Sequence, residues 1–161
     1  MMAADEGAAI LETNNDGPKI PDVKKTKFDV IIIGAGPAGY TAGIYCSRAG
    51  YDTLILSGIL PGGQLVNTTE VENYPGFENG IMGPDLMIDM RKQSQRMGTT
   101  IIDDVAVDVD FRRAPYKVLT GSEEYEGRAV IIATGANPRK MGISGEEEFS
   151  GKGVSYCATC D

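Results

Sequence analysis

The chain has 161 residues and a net charge of −8, with 42% hydrophobic and 24% charged residues. A chain of this length can bury about 68–70% of its unfolded surface, which is enough to form the core of one domain. It is short for two complete domains. The negative charge argues against binding to a nucleic-acid backbone, and the lack of about 18 consecutive apolar residues argues against a transmembrane helix.

The first 26 residues are polar and mixed in charge, without the apolar run of about 7–15 residues that a secretory signal needs. We therefore expect residues 1–26 to be a flexible leader and the protein to be cytoplasmic. In that compartment, three cysteines favour a redox or metal-binding role over a disulfide scaffold.

The ordered part is predicted to begin with a βαβ unit. Residues 27–34 are rich in β-branched side chains and end in glycine. This pattern predicts a strand that is buried on both faces of a parallel sheet. A helix follows and ends at Gly50, and residues 51–57 form the second strand. The apolar positions that suit packing of this helix on the sheet are Ala38, Ala42, Ile44, Tyr45 and Ala49.

A long loop and a second helix come next. Residues 58–78 show no clear period, which predicts a loop of the length that is usually functional or disordered. Residues 83–98 have Pro84 near the start and apolar residues at helical spacing, which predicts a helix. Its predicted buried positions are Leu86, Met87, Met90 and Met97.

The next segments alternate between polar and apolar residues. Residues 105–111, 116–120 and 124–128 predict an antiparallel β-meander. Residues 129–135 repeat the pattern of a buried strand that ends in glycine. The expected fold is therefore α/β, a Rossmann-like parallel sheet with a meander.

The segment GAGPAG, residues 34–39, lies between the first strand and the first helix. Gly34 can form the tight turn, Gly36 can let the backbone approach a pyrophosphate, and Gly39 can permit close packing of helix and strand. This context favours dinucleotide binding over a glycine-rich turn without a ligand. An acidic residue that would hold a ribose hydroxyl at the end of the second strand is absent, since Ser57 and Gly58 stand there.

The chain ends in Cys157-Ala158-Thr159-Cys160-Asp161. Such a cysteine pair can form a redox disulfide or supply two zinc ligands. The sequence has no His, and the third cysteine, Cys46, falls in the first helix, where a small buried residue is expected. A zinc site and a purely structural disulfide are both disfavoured, and no metal site is expected.

Five segments, GAGPAG, PGGQL, TTEVENYPG, IIATGA and GKGVSYCATCD, occur in an order and spacing that resemble the low-molecular-weight thioredoxin reductases. The resemblance runs from about Phe28 to Asp161. It implies that the glycine loop binds FAD and that reduced FAD passes two electrons to a Cys157–Cys160 disulfide. Cys160 would face the flavin, Cys157 would attack thioredoxin, and Asp161 would serve as the acid/base, although it could also be an ordinary chain-terminal carboxylate.

The resemblance also implies a set of FAD-lining residues. Backbone glycines can lie close to a flat ring, and the Gln64 and Asn73 amides can bond a flavin edge, unless these two residues only satisfy their own loop. The implied FAD contacts are Gly34, Gly36, Pro37, Ala38, Gly39, Ser57, Gly58, Gly62, Gly63, Gln64, Asn73, Ala133, Thr134 and Gly135.

The family pattern is incomplete in this sequence. A second glycine loop for NADPH and a later Gly-Asp segment that completes the FAD domain are both missing. We expect a leader at 1–26, the N-terminal portion of an FAD-binding domain at 27–138, and at 139–161 the start of an NADPH domain that carries the cysteine pair. This predicts an N-terminal part of a reductase, from a homodimeric parent, that is not competent alone, with an exposed sheet edge and weakened FAD binding.

Two alternatives remain open at this point. One is a related flavoprotein of a peroxide- or ferredoxin-linked system; the first usually carries an extra N-terminal region, for which 26 residues are too few. The other is a non-catalytic module that binds FAD or an adenine nucleotide.

Overall fold

The computed structural model describes residues 25–156. It contains two helices, α1 (Pro37–Arg48) and α2 (Gly83–Arg96), and a short 3-10 helix, Gly63–Asn67. The strands are β1 (Lys27–Ile33), β2 (Thr53–Leu56), β3 (Glu70–Val71), β4 (Ile81–Met82), β5 (Thr100–Ile102), β6 (Asp108–Asp110), β7 (Tyr116–Leu119) and β8 (Glu124–Ile132).

Six of the strands form one mixed sheet in the order β5-β2-β1-β8-β7-β6. Strands β5, β2, β1 and β8 run parallel, while β8, β7 and β6 form the antiparallel meander. The α/β class and the Rossmann-like arrangement predicted from the sequence are confirmed. The parallel strands place their carboxyl ends along one rim of the sheet, which is where open α/β sheets bind ligands.

The two faces of the sheet carry separate cores. Because side chains alternate along a strand, Ile55 joins one core while its neighbours Leu54 and Leu56 join the other. The first core includes Leu86, Met87 and Met90, as the spacing in α2 predicts; Met97 follows the helix and is half-buried. The second core packs Val118 of β7 and Tyr125 of β8 against β1 and β2.

The buried face of α1 agrees with the prediction only in part: Ala42 packs against the first core and Ile44 is half-buried, whereas Ala38 and Ala49 are exposed. Its buried residues are Gly39, Tyr40 and Gly43, while Tyr45 is 69% exposed. A Cβ at Gly43 would lie 2.7 Å from the Ser94 Oγ of α2, so the glycine lets the two helices approach closely. A count of apolar side chains misses a face that is built partly from glycine. Cys46 of the same helix is a half-buried free cysteine that packs against the first core.

Three further predictions need correction. Residues 58–78 are not a plain loop, since they contain the 3-10 helix and β3, which pairs with β4. Residues 124–128 and 129–135 are not two elements, because β8 continues through Gly127, where a Cβ would meet Ile31 Cδ1 at 2.9 Å. The end of β8 is also not buried, with Ile132 65% exposed. Strand β5 was missed by the sequence pattern.

Candidate functional site

A cavity of about 720 Å³ lies at the carboxyl ends of β1, β2 and β8. It is bounded by the glycine loop after β1, the turn after β2, the start of the 3-10 helix and the segment after β8. Its volume lies within the range of about 300–1,000 Å³ that is usual for cofactor sites. The predicted site residues that line it are Gly34, Gly36, Pro37, Ala38, Ser57, Gly58, Gly63, Gln64, Ala133, Thr134 and Gly135.

The three glycines of the loop occupy three different environments. Gly34 has φ +108°, and a Cβ there would lie 2.2 Å from the Ala133 carbonyl oxygen. A Cβ at Gly39 would lie 2.0 Å from the Gly34 carbonyl oxygen. Gly36 has no neighbour within 4 Å of a Cβ, so its backbone is open on the cavity side. These environments match the tight turn, the close helix–strand packing and the open approach that a pyrophosphate needs.

The amino end of α1 meets the cavity at this open position. Gly36 is the N-cap residue, Pro37 occupies the first turn, and that turn carries no acidic side chain. The unpaired N–H groups and the positive end of the helix dipole favour an anion there. The loop therefore fits the diphosphate of a dinucleotide cofactor such as FAD.

A second pair of glycines supports the loop from the side. Gly62 and Gly63 have φ +97° and +63°, and the Gly62 N–H donates to the Ala35 carbonyl oxygen at 2.8 Å. A Cβ at Gly63 would lie 3.5 Å from the Gly36 Cα. Gly63 lines the cavity, whereas Gly62 packs behind it against Val66.

The Gln64 amide links two parts of the cavity lining, the 3-10 helix and the segment after β8. Its Nε2 donates to Asn137 Oδ1 at 2.8 Å, and Nε2 lies 3.5 Å from the Ala136 carbonyl oxygen. Asn137, which also lines the cavity, was not among the predicted site residues. Its partner is 73 positions away in sequence, so no local pattern could have indicated the contact.

Ser57, at the end of β2, is buried and belongs to a charged network. Its Oγ donates to Asp103 Oδ1 at 2.8 Å, and Asp103 receives two further bonds, each of 2.8 Å, from Arg91. The Arg91 bonds, followed by the Ser57 bond, lower the pKa of Asp103 against the opposing effect of burial. Sequence reasoning missed Arg91 and Asp103, since neither is part of a motif.

The remaining predicted site residues lie elsewhere. Gly39 and Gly62 pack behind the cavity wall, and Asn73 lines a separate, shallow depression formed by residues 72–78. Cys157, Cys160 and Asp161 lie outside the described residues. The structure therefore brings together the glycine loop, the β2 turn and the β8 end, and it does not bring Asn73 to them.

A buried carboxylate organises the segment that precedes the cysteine pair. Glu146, 4% exposed, accepts bonds from the Met141 N–H at 2.8 Å, the Gly142 N–H at 2.6 Å and the Tyr156 hydroxyl at 2.9 Å. These bonds lower the pKa of Glu146, with the Met141 amide as the largest cause. The carboxylate thus connects the exposed residues after the cavity wall to the residue next to Cys157.

Two further findings concern residues 25–156. None of the helices in this range is long and apolar enough to cross a membrane. Nor does the range contain a group of three or more His, Cys, Asp or Glu side chains placed to hold a metal ion.

Comparison with known proteins identifies the family. Residues 28–161 match the pyridine nucleotide-disulphide oxidoreductase family, to which the chain belongs. The thioredoxin reductase of Rickettsia bellii is 53% identical over 138 residues, which make up 85% of this chain and 44% of that protein. That of Listeria monocytogenes is 55% identical over 136 residues, 83% of this chain and 42% of that protein.

Solved structures give the same result. The thioredoxin reductase from Giardia duodenalis has a TM-score of 0.76 at 40% identity, covering 85% of this chain and 45% of that one. A ferredoxin-flavin thioredoxin reductase from Clostridium acetobutylicum has a TM-score of 0.64 at 28% identity, covering 85% of this chain and 47% of that one. The resemblance inferred from the sequence is confirmed, and the chain spans less than half the length of these relatives.

Proposed function

We propose that the cavity binds FAD and that the chain acts in a disulfide oxidoreductase of the thioredoxin reductase type. The observation that carries the proposal is the glycine cradle, in which Gly34 and Gly39 leave no room for a side chain while Gly36 stays open to the cavity. The wall from Ala133 to Asn137 and the Gln64 amide would then flank the bound cofactor.

Bound FAD would carry two electrons from NADPH to the Cys157–Cys160 disulfide. Cys160 is assigned to the thiol that faces the flavin and Cys157 to the thiol that attacks thioredoxin. The Cys157 thiolate attacks the thioredoxin disulfide, forming a mixed disulfide and releasing one thioredoxin thiolate. Cys160 then attacks the Cys157 sulfur, which releases the second thioredoxin thiolate and re-forms the Cys157–Cys160 disulfide, while Asp161 transfers a proton between the reacting thiols. The net reaction converts thioredoxin disulfide, NADPH and a proton to thioredoxin dithiol and NADP⁺.

Several finer assignments belong to the same proposal. Residues 27–138 form the flavin-binding portion and residues 139–161 the start of the nucleotide domain that carries the cysteines. NADPH is assigned to no residue of this chain, whose only GxGxxG motif is the one at 34–39. Thioredoxin is the proposed partner, cytoplasm the proposed compartment, and a homodimer the proposed state of the whole enzyme.

The test separates cofactor binding from thiol chemistry. The purified 161-residue chain is titrated with FAD, and binding is followed by flavin fluorescence. The FAD-loaded chain is then reduced photochemically, without NADPH, and mixed with oxidised thioredoxin. Photoreduction supplies the electrons that NADPH would supply, so this half-reaction does not need the NADPH site that the sequence lacks. We expect FAD to bind with weakened affinity and about one thioredoxin disulfide to be reduced per reduced flavin, with Cys157→Ser inactive. Lack of FAD binding would refute the proposal, and binding without thiol transfer would favour the non-catalytic module.

A further inference from the structure

The hydrogen-bond network around Ser57 contains a carboxylate close to the end of β2, where the sequence lacks the acidic residue expected to bind a ribose. In nucleotide-binding βαβ units, a carboxylate at that position commonly accepts a bond from a ribose 2′-hydroxyl. Here the position is Ser57, which lines the cavity and is 3% exposed. The nearest strand on that side, β5, ends at Ile102 and is followed directly by Asp103.

The backbone holds the two strand ends in register. The Ser57 N–H donates to the Ile102 carbonyl oxygen, and the Gly58 N–H donates to the Asp104 carbonyl oxygen, both at 3.0 Å. Asp103 is thereby brought to Ser57 from the neighbouring strand. Asp103 does not line the cavity, and Ser57 is the lining residue to which its carboxylate is bonded.

The direction of each hydrogen bond follows from charge. An ionised carboxylate only accepts, and Arg91 only donates, so the Ser57 hydroxyl must give its proton to Asp103. The Ser57 oxygen keeps its lone pairs, and it can accept a bond from a ligand hydroxyl. A serine without this partner could turn its proton toward the ligand instead.

We propose that Asp103, held by Arg91, fixes the Ser57 hydroxyl as an acceptor for the ribose 2′-hydroxyl of the adenosine half of the cofactor. The carboxylate that β2 lacks is thus supplied by β5, one strand away, with Ser57 as the contact. Asp103 and Arg91 are positioning residues in this arrangement. The inference rests on the proposed function, because it assumes that an adenine dinucleotide occupies the cavity.

The experiment compares FAD with an FAD analogue built on 2′-deoxyadenosine. We expect the 161-residue chain to bind FAD about tenfold more tightly than the analogue, the scale of one lost hydrogen bond. Ser57→Ala should bind both compounds with nearly equal affinity. Asp103→Ala should show a smaller preference than the wild type, because the freed Ser57 hydroxyl is no longer held as an acceptor. Ser57→Thr, which keeps the hydroxyl, should restore the preference.

A matched control is Asp110→Asn, which removes another Arg-paired carboxylate, bonded to Arg112, on the far strand β6. It should keep the tenfold preference. If Asp103 has a purely structural role, Asp103→Ala should lower the affinity for FAD and for the analogue by the same factor. An unchanged ratio of the two affinities would overturn the inference. Equal binding of FAD and analogue by the wild type would also overturn it, whereas no FAD binding at all would refute the proposed function itself.

Discussion

Arg91 of α2 donates two parallel hydrogen bonds, from Nη1 and Nη2, to the Asp103 carboxylate, each 2.8 Å long. The pair joins the helix layer to the end of strand β5, beside the cavity. Fork-to-fork contacts of this kind hold both side chains in one orientation. The Arg91 side chain is 28% exposed and the Asp103 side chain 56% exposed, so solvent screening limits the energy of the pair.

The first prediction concerns the pH dependence of stability. The pKa of Asp103 is lower in the folded protein than its ordinary value of 3.8. Its stabilising contribution is therefore fully present above that value and is lost as pH falls through the folded pKa. Asp103→Asn should lower the free energy of unfolding at pH 7 by about 1 kcal/mol or less.

Urea unfolding of both proteins from pH 7 to pH 2.5 measures the difference. The difference in unfolding free energy should stay constant down to about pH 4 and shrink below it. At low pH Asp103 becomes protonated, and a protonated Asp is neutral like Asn. Other carboxyl groups with lowered pKa values, such as Asp29 and Glu146, change both proteins equally. A difference that did not depend on pH would contradict the prediction.

The second prediction compares two glycines of one loop. Gly39→Ala should destabilise the fold by about 1–3 kcal/mol, because the new Cβ would lie 2.0 Å from the Gly34 carbonyl oxygen. Gly36→Ala meets nothing within 4 Å and has φ −82°, so the melting temperature should hardly change. FAD affinity should nevertheless fall, since the methyl group occupies the proposed diphosphate approach. Unchanged affinity in Gly36→Ala would show that the loop is structural.

The third prediction assigns the two thiols of the cysteine pair. If Cys160 faces bound flavin, Cys160→Ser should abolish a long-wavelength thiolate-to-flavin absorbance band on reduction. Cys157→Ser should keep or strengthen that band, because the remaining thiolate cannot re-form the disulfide. The reverse result in absorbance spectra of the two FAD-loaded variants would exchange the roles.

The fourth prediction concerns the segment before the cysteine pair. Glu146→Ala removes the acceptor of the Met141 and Gly142 amides and of the Tyr156 hydroxyl. Hydrogen exchange at those two amides should accelerate by about tenfold or more, since each loses a charge-assisted bond. The exposed neighbour Glu148 provides the control, and Glu148→Ala should leave both rates unchanged. Equal exchange in both variants would show that Glu146 does not hold the segment.

Local sequence patterns predicted most of the early elements of the fold. They failed where the structure depends on contacts between residues far apart in sequence. Strand β1, the glycine loop and helix α2 follow from short periodic runs with glycine or proline at their ends. The continuity of β8 does not, because Gly127 is a packing position under Ile31 rather than a turn. The partners of Gln64 and Ser57 are 73 and 46 positions away, and only the folded chain brings them together.

The pairing of β1 with β8 has a consequence for biosynthesis. Ile33, immediately before the glycine loop, pairs with Ile132, and the Ala133 N–H donates to the Ile33 carbonyl oxygen. During translation β1 and β2 emerge early, but the wall behind Gly34 does not exist until residues 132–135 have left the ribosome. If the cavity binds FAD as proposed, the cofactor can be captured only after this wall has emerged. Until β8 pairs with β1, that edge of β1 is unpaired and can contact other chains or chaperones.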